Sequence, residues 1–146
     1  MVASVTGLFP SFHSGLRLID GRELKLFTEI LFATKYGLIA STAQTQAGAL
    51  QLVAALNTIE TANSLDAVRL PTALLGLPVG IINQTAVSVT VFGVASNPNN
   101  AGAGDTIVPH GSVAPAATAT GITQATATIA FYHCFKPGVW KQLLTG

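Results

Sequence analysis

With 146 residues, the chain has the length of one domain that can bury a substantial hydrophobic core. Only 9% of its residues are charged, against roughly 25% in an average soluble domain, and the mean hydropathy is +0.54. Between Leu70 and Phe135 the only formally charged residue is Asp105. This composition fits either a membrane protein or a subunit that hides much of its surface in an assembly.

Polar and turn-forming residues within the apolar segments argue against a membrane protein. Every apolar stretch is interrupted by proline, glycine, asparagine or glutamine before it reaches the length of a membrane-spanning helix. The first fifteen residues lack the basic region and the apolar core of a secretion signal. The net charge is +1 and the basic residues are scattered, so we expect no nucleic-acid partner and no membrane partner.

No pattern of reactive or metal-binding side chains is visible. The single cysteine, Cys134, excludes an internal disulfide framework and a multi-cysteine metal site. His133 and Cys134 are adjacent in a predicted strand, so their side chains point to opposite faces and do not share an ion. No serine lies in a G-x-S-x-G elbow, and no glycine-rich loop has the spacing of a phosphate site. We therefore expect no catalytic residues, no metal, no cofactor and no enzymatic activity.

The first fifteen residues combine glycine and proline with three large apolar side chains, Leu8, Phe9 and Phe12. This composition fits an irregular arm. It also fits a peptide that docks on another subunit, because large apolar side chains require burial. We take these three residues as candidate interface residues.

A short amphipathic helix is predicted to follow the arm. Asp20 is a good N-cap, and Glu23 lies at the position from which its carboxylate reaches back to the Asp20 amide. Lys35 and Gly37 provide a stop signal, so residues 1–37 form the predicted arm and helix. The apolar side chains at helical spacing, which we take as further candidate interface residues, are Leu24, Phe27, Ile30 and Leu31.

The sequence pattern of residues 38–146 is typical of an all-β domain. Short alternating segments bounded by turn residues predict strands at 38–42, 67–70, 79–82, 87–92 and 105–108. The longest predicted strand, 125–135, has two faces that are largely free of charge, so we expect both to be covered, by the core or by a neighbouring subunit. Pro137-Gly138 then turns the chain into 139–144, which carries Trp140, a candidate interface anchor.

Two segments are less clear from their pattern. Residues 49–61 fit either a helix or two strands joined near Asn57. Residues 97–104, rich in asparagine and glycine, predict a long exposed loop, and His110 lies in a later turn.

The chain resembles a family of small tailed-bacteriophage structural proteins. The residues that carry the resemblance are D-x-V-R-L-P at 66–71, G-L-P-V-x-I-I-N at 76–83, V-x-V-F-G at 89–93, the D-T-I run at 105–107 and the late G-V-W at 138–140. The resemblance covers roughly residues 16–144 and implies virion decoration or head-fibre proteins, with an all-β core that commonly forms trimers. It also favours two strands for residues 49–61.

We therefore expect a mainly β protein, with a β-sandwich or jelly-roll-like domain preceded by an N-terminal arm and one short amphipathic helix. The expected function is that of a capsid decoration, or cement, protein on the virion surface, where a homotrimer stabilises the head shell by contacts with the major capsid protein. The alternative is a fibre or tail-associated receptor-binding module that presents residues 97–104 and His110 to the host.

Overall fold

The computed structural model describes residues 33–145, which form ten β-strands and a single 3₁₀ turn at Pro98–Asn100 between the sixth and seventh strands. The strands are β1 Thr34–Ile39, β2 Leu50–Gln51, β3 Leu56–Thr61, β4 Ala67–Arg69, β5 Pro78–Asn83, β6 Val89–Phe92, β7 Thr106–Val108, β8 Ile122–Gln124, β9 Thr128–Lys136 and β10 Val139–Thr145. The expectation of a mainly β fold is confirmed.

The strands form two sheets that enclose one hydrophobic core. Sheet A has the strand order β1-β3-β5-β9-β10-β7, and sheet B has the order β2-β4-β6-β8. Buried side chains of both sheets belong to the same cluster, for example Ile81 and Tyr132 from sheet A with Val68 and Val91 from sheet B. The architecture is therefore a two-layer β-sandwich.

The first six strands alternate between the two sheets, and neighbours within each sheet are parallel. Thr34 of β1 pairs with Leu56 of β3, which pairs with Gly80 of β5. In sheet B, Val68 of β4 pairs with Leu50 of β2 and with Val91 of β6. The chain thus winds through three stacked coils, each contributing one strand to each sheet. Stacking successive coils buries a continuous core.

The later strands close the sandwich by antiparallel pairing. β9 pairs with β5 on one side and β10 on the other, and β8 pairs with β6. β7 lies parallel to β10 at the edge of sheet A. The β9–β10 hairpin turns at Pro137-Gly138, as predicted, with Gly138 at a φ of 69°. β9, a nine-residue strand, therefore lies between the coiled half and the hairpin.

The predicted helix stop is wrong at Lys35 and Gly37, because both residues lie in β1. The pairing of β1 with β3 shifts register between Lys35 and Leu38, and Gly37 has a φ of 70° within this irregularity. A glycine with a positive φ can occupy a bulge in a strand or follow the end of a helix. The sequence around the glycine does not distinguish the two structures. The predicted helix upstream of Ala33 and the arm lie outside the described residues.

Two other segments refine the sequence interpretation. Residues 49–61 form two strands, β2 and β3, rather than a helix, and Asn57 lies inside β3 instead of at the junction. β8 was not predicted, because its single apolar residue, Ile122, follows a stretch rich in alanine, threonine and serine.

A chain of hydrogen bonds between polar side chains crosses the core. The Gln142 side chain accepts from the His110 amide at 3.1 Å and donates to the Tyr132 hydroxyl at 3.2 Å. Tyr132 donates to Gln124 Oε1 at 3.1 Å, and Gln124 Nε2 donates to the Ile81 carbonyl at 3.0 Å. Because these groups satisfy one another, burial of the glutamines and tyrosine is compatible with a stable core.

Candidate assembly surface

The sixty-five residues from Pro71 to Phe135 contain one formal charge, and the fold buries it. Asp105 is fully buried. Its Oδ2 accepts the Ala73 amide at 2.8 Å, and its Oδ1 accepts Asn97 Nδ2 at 2.7 Å. Asp105 therefore holds the loop 97–104 against the segment that follows β4. Because Asp105 is buried, the residues from Pro71 to Phe135 contribute a surface that carries no aspartate, glutamate, lysine or arginine side chain.

The outer face of sheet A is the most apolar part of this surface. We call it the apolar face, and we define it by the outward side chains Ile129, Phe131 and Phe135 of β9 with Leu143 of β10. Phe131 is 41% exposed and Leu143 is 49% exposed. β9 alternates strictly, since Ala130, Tyr132 and Cys134 face the core. The predicted strand is present and one of its faces is buried in the core; among the described residues its other face is partly exposed, so cover by a neighbouring subunit stays a prediction.

The apolar face continues across the neighbouring strands in register. Leu143 of β10 pairs with Phe131 of β9, which pairs with Gly80 of β5, which pairs with Leu56 of β3. A Cβ atom at position 80 would lie 2.7 Å from Leu56 Cδ1 and 3.1 Å from Phe131 Cε1. The glycine thus allows Leu56 and Phe131 to close over the backbone of β5, which makes the apolar row continuous.

The outer face of sheet B is different, because a loop and polar side chains already cover it. Phe92 is buried there with Ala49 and Ala67. Gln46 donates to the carbonyls of Gly93 and Thr118, at 2.8 and 3.2 Å. Among residues 33–145, the outer face of sheet A therefore exposes more apolar side chains than the outer face of sheet B.

Hydrogen bonds also fix the Arg69 side chain on the outer face of sheet B. Arg69 Nε donates to Gln51 Oε1 at 2.8 Å, and its Nη1 donates to the Gln46 carbonyl at 3.1 Å. The one charged side chain of β4 is therefore held by neutral partners of its own chain.

Two uncharged loops flank the sandwich and are fixed by anchored residues. In the loop 97–104, Asn97 is buried and its side chain accepts the Asn99 amide at 2.8 Å. In the loop after β7, Lys141 Nζ donates to the carbonyls of Pro109 and Ser112, at 3.0 and 2.6 Å. Val113, next in the chain, is 99% exposed. The predicted exposed loop is present, but its first residue is an internal anchor.

The geometry gives no support for nucleophilic or metal chemistry at the residues considered in the sequence. His133 is exposed and Cys134 is buried, on opposite faces of β9. Burial, and secondarily the charge of Asp105, raises the pKa of the Cys134 thiol, which disfavours the reactive thiolate. Within residues 33–145 no three histidine, cysteine, aspartate or glutamate side chains are grouped to hold a metal ion. The same residues include no helix long and apolar enough to cross a membrane.

A shallow, open depression lies where β5 ends and β9 begins, between Ile82–Gln84 and Ala127–Ile129. Its main polar group is committed to the fold, since Asn83 Nδ2 donates to the carbonyls of Val87 and Ala125, at 2.9 and 3.0 Å. Asn83 Oδ1 accepts from the Thr85 amide and hydroxyl. We therefore read Asn83 as a residue that shapes the turn.

Of the eight residues selected from the sequence as candidate interface residues, one can be placed. Trp140 is fully buried in the core between the sheets, and its Nε1 has no hydrogen-bond partner among the described residues. It anchors the subunit's own core and presents no surface to a partner. The other seven lie outside the described residues: Leu8, Phe9, Phe12, Leu24, Phe27, Ile30 and Leu31.

The residues that do form an exposed apolar surface were present in the sequence as a pattern. The alternation of residues 125–135 with no charge on either face was the signal for Phe131 and its neighbours. Leu143 could not be singled out, because its exposure follows from its pairing with Phe131. In comparisons with known proteins, no family model, no curated protein and no solved structure matches the chain.

Proposed function

We propose that this chain is a structural subunit that works inside a larger assembly, and specifically a capsid decoration protein of a tailed phage that acts as a homotrimer on the head shell. The observation that carries the assembly role is the uncharged surface from Pro71 to Phe135, with Asp105 withdrawn into the core. Surface charge keeps isolated proteins soluble, and a subunit without it gains by covering that surface with partners.

The virion context of the proposal rests on the resemblance in the turn and strand motifs of residues 66–93 and 105–107. Asp66 illustrates how such motifs serve the fold. Its Oδ2 accepts the Asn63 amide at 2.7 Å, and the residue is buried at the start of β4. This motif residue therefore shapes the turn that leads into β4.

The proposed mechanism is mechanical stabilisation of the shell. The arm, through Leu8, Phe9 and Phe12, inserts apolar side chains between neighbouring capsid subunits. Fully burying one such side chain stabilises the contact by about 1.5–3 kcal/mol. Because the decorated shell binds the protein and the separated subunits do not, binding raises the free energy of shell disassembly by mass action.

The experiment is addition of the purified full-length chain to undecorated capsids of the phage that encodes it, with calorimetry of capsid melting. We expect saturable binding, a trimer by light scattering and a capsid transition at higher temperature. A monomer that does not bind capsids and leaves their melting unchanged would contradict the proposal.

A receptor-binding module is the second candidate, and the two fixed loops favour it. The loop 97–104 and the exposed Val113 project from anchored positions, as recognition loops on a rigid scaffold do. Immunogold labelling of intact particles separates the two functions. Label over the heads supports decoration, whereas label confined to the tail or a vertex supports receptor binding.

A further inference from the structure

We propose that Lys35 and the bulge at Gly37 keep the outer edge of β1 from pairing with a strand of a second copy of the chain. This inference goes beyond the proposed function, because it concerns a contact that the subunit avoids. The two residues thereby confine association to the other surfaces of the subunit.

The first observation is that β1 is the longest edge strand among residues 33–145. It has six residues and ends sheet A, where β3 is its one neighbour in the sheet. The edge strands of sheet B, β2 and β8, have two and three residues. β7, at the opposite edge of sheet A, has three residues and is bridged by Ala116 at Ile107. A long edge presents backbone N–H and C=O groups to other strands, so β1 is the edge that most needs protection.

The second observation is that the side chains of β1 favour association. Tyr36 is 79% exposed and Ile39 is 65% exposed. A long edge strand that exposes large apolar side chains is prone to pair with other chains when it is also flat and uncharged. β1 has both the length and the apolar side chains, so an opposing feature is needed to keep this edge from pairing.

The third observation is that β1 carries two such features. Its register against β3 shifts on both sides of Leu38, and Gly37 has a φ of 70°. A bulge of this kind turns N–H and C=O groups away from the direction in which a second strand would bond them. Lys35 is exposed, and its charge would have to be desolvated if another strand paired with this edge.

The conformation of Gly37, rather than the space around it, makes the residue suitable for this role. Among the described residues, a Cβ atom at position 37 would meet only Glu60 Oε2, at the ordinary van der Waals distance of 3.9 Å. A side chain therefore fits, but a β-branched residue disfavours a positive φ, whereas asparagine tolerates it. Substitutions at position 37 can thus remove or retain the bulge without creating a clash.

The test is sedimentation velocity of the full-length chain over a range of protein concentrations. Lys35→Val with Gly37→Val removes the charge and the preference for a bulge. We expect the weight-average mass of this variant to rise with concentration to at least ~2-fold that of the parent, since each new contact joins two copies. The matched control is Lys35→Arg with Gly37→Asn, which retains the charge and the bulge and should sediment as the parent does.

A further variant locates the contact on β1. Ile39→Lys, added to Lys35→Val with Gly37→Val, restores a charge to the same edge and should return the mass to that of the parent. Trp140 fluorescence reports whether the sandwich is intact, since this indole lies in the core. If the double valine variant loses this signal, Lys35→Val alone, which leaves the glycine in place, carries the test. Its mass must then exceed that of the parent, and an unchanged mass would overturn the inference.

Three other results would also overturn the inference. They are an intact double valine variant with the mass of the parent, association that Ile39→Lys does not reverse, and a Lys35→Arg with Gly37→Asn control that associates to the same extent. Every mass is compared with that of the parent. A parent that is not a trimer, or that does not bind capsids, would therefore count against the proposed function and leave this result unaffected.

Discussion

Asp105 shows how one buried carboxylate organises a loop. Both of its oxygens accept hydrogen bonds, from the Ala73 amide and from Asn97 Nδ2. Asp105→Asn places an NH₂ group where an acceptor is needed, so we expect the free energy of unfolding to fall by about 1–3 kcal/mol. Urea denaturation measures this loss. The exposed Asn99→Ala should change it by less than about 0.5 kcal/mol. An Asp105→Asn variant as stable as the parent would mean that relief of the buried charge outweighs the lost bond.

Tyr132 and Cys134 make stability depend on alkaline pH. Burial raises the pKa of the Tyr132 hydroxyl, and burial with the Asp105 charge raises that of the Cys134 thiol. Both groups therefore stay protonated in the folded chain while the unfolded chain ionises, at about pH 8.5 for cysteine and about pH 10 for tyrosine. Since the folded state then binds more protons, we expect the free energy of unfolding to fall as the pH rises through this range.

Tyr132→Phe and Cys134→Ala test this linkage separately. Urea denaturation from pH 7 to 10.5 should show a shallower decline for Cys134→Ala from about pH 8.5, and for Tyr132→Phe from about pH 10. Tyr132→Phe also loses its bonds to Gln124 and Gln142, so its baseline will be lower and the slope is the informative quantity. Parallel declines in all three proteins would contradict the assignment.

At the scale of the element, the close contact over β5 makes Gly80 sensitive to any side chain. In Gly80→Ala the new methyl group would meet Leu56 at 2.7 Å, and we expect a loss of about 1–3 kcal/mol in the free energy of unfolding from overpacking. The matched comparison is the same substitution in a Leu56→Ala background, which removes the obstructing atoms. There the alanine at position 80 should cost less, and a double-mutant cycle gives the coupling. Equal costs in both backgrounds would show that Leu56 is not the cause.

How much could be predicted also differs from element to element. The strand at β9 was predictable because residues 125–135 form a long stretch whose two faces are largely free of charge. β8 was not, because its neighbours are small polar residues whose β-structure depends on pairing with β6. The stop signal at Gly37 has two structural meanings, and only the pairing of β1 with β3 distinguishes them.

The least predictable feature is the three-coil winding of β1–β6. It depends on parallel pairing between residues 22 and 24 positions apart, as Thr34, Leu56 and Gly80 show, and these positions share no repeated motif. For the candidate surface the situation is mixed. The charge-free segment is visible in the sequence, whereas burial of its one charge, and of Trp140, follows only from the fold.

At the scale of the whole molecule, charged side chains are concentrated in some segments and absent from the surface of others. Lys35, Glu60 and Arg69 belong to the first two coils, whereas the segment from Pro71 to Phe135 presents no such side chain. Because β9 and its neighbours come from this second segment, the uncharged residues include most of the apolar face and both anchored loops. Among the described residues, charged side chains therefore lie in the first two coils and at Lys136 and Lys141, and the region from Pro71 to Phe135, which we propose to meet the assembly, is neutral at its surface.

Substitution of Val113 tests whether the uncharged surface contacts the assembly. Its side chain is 99% exposed in the single chain, and burying it against a partner would contribute about 1.5–3 kcal/mol. We expect Val113→Asp to leave the free energy of unfolding within about 0.5 kcal/mol of the parent, because the residue has no core contact to lose. The same change should weaken capsid binding at least ~10-fold, since it removes the apolar contact and desolvates a charge. Ser64→Asp, at an exposed position outside the uncharged segment, is the matched control and should bind normally. If Val113→Asp bound capsids as well as Ser64→Asp does, this loop would lie outside the contact.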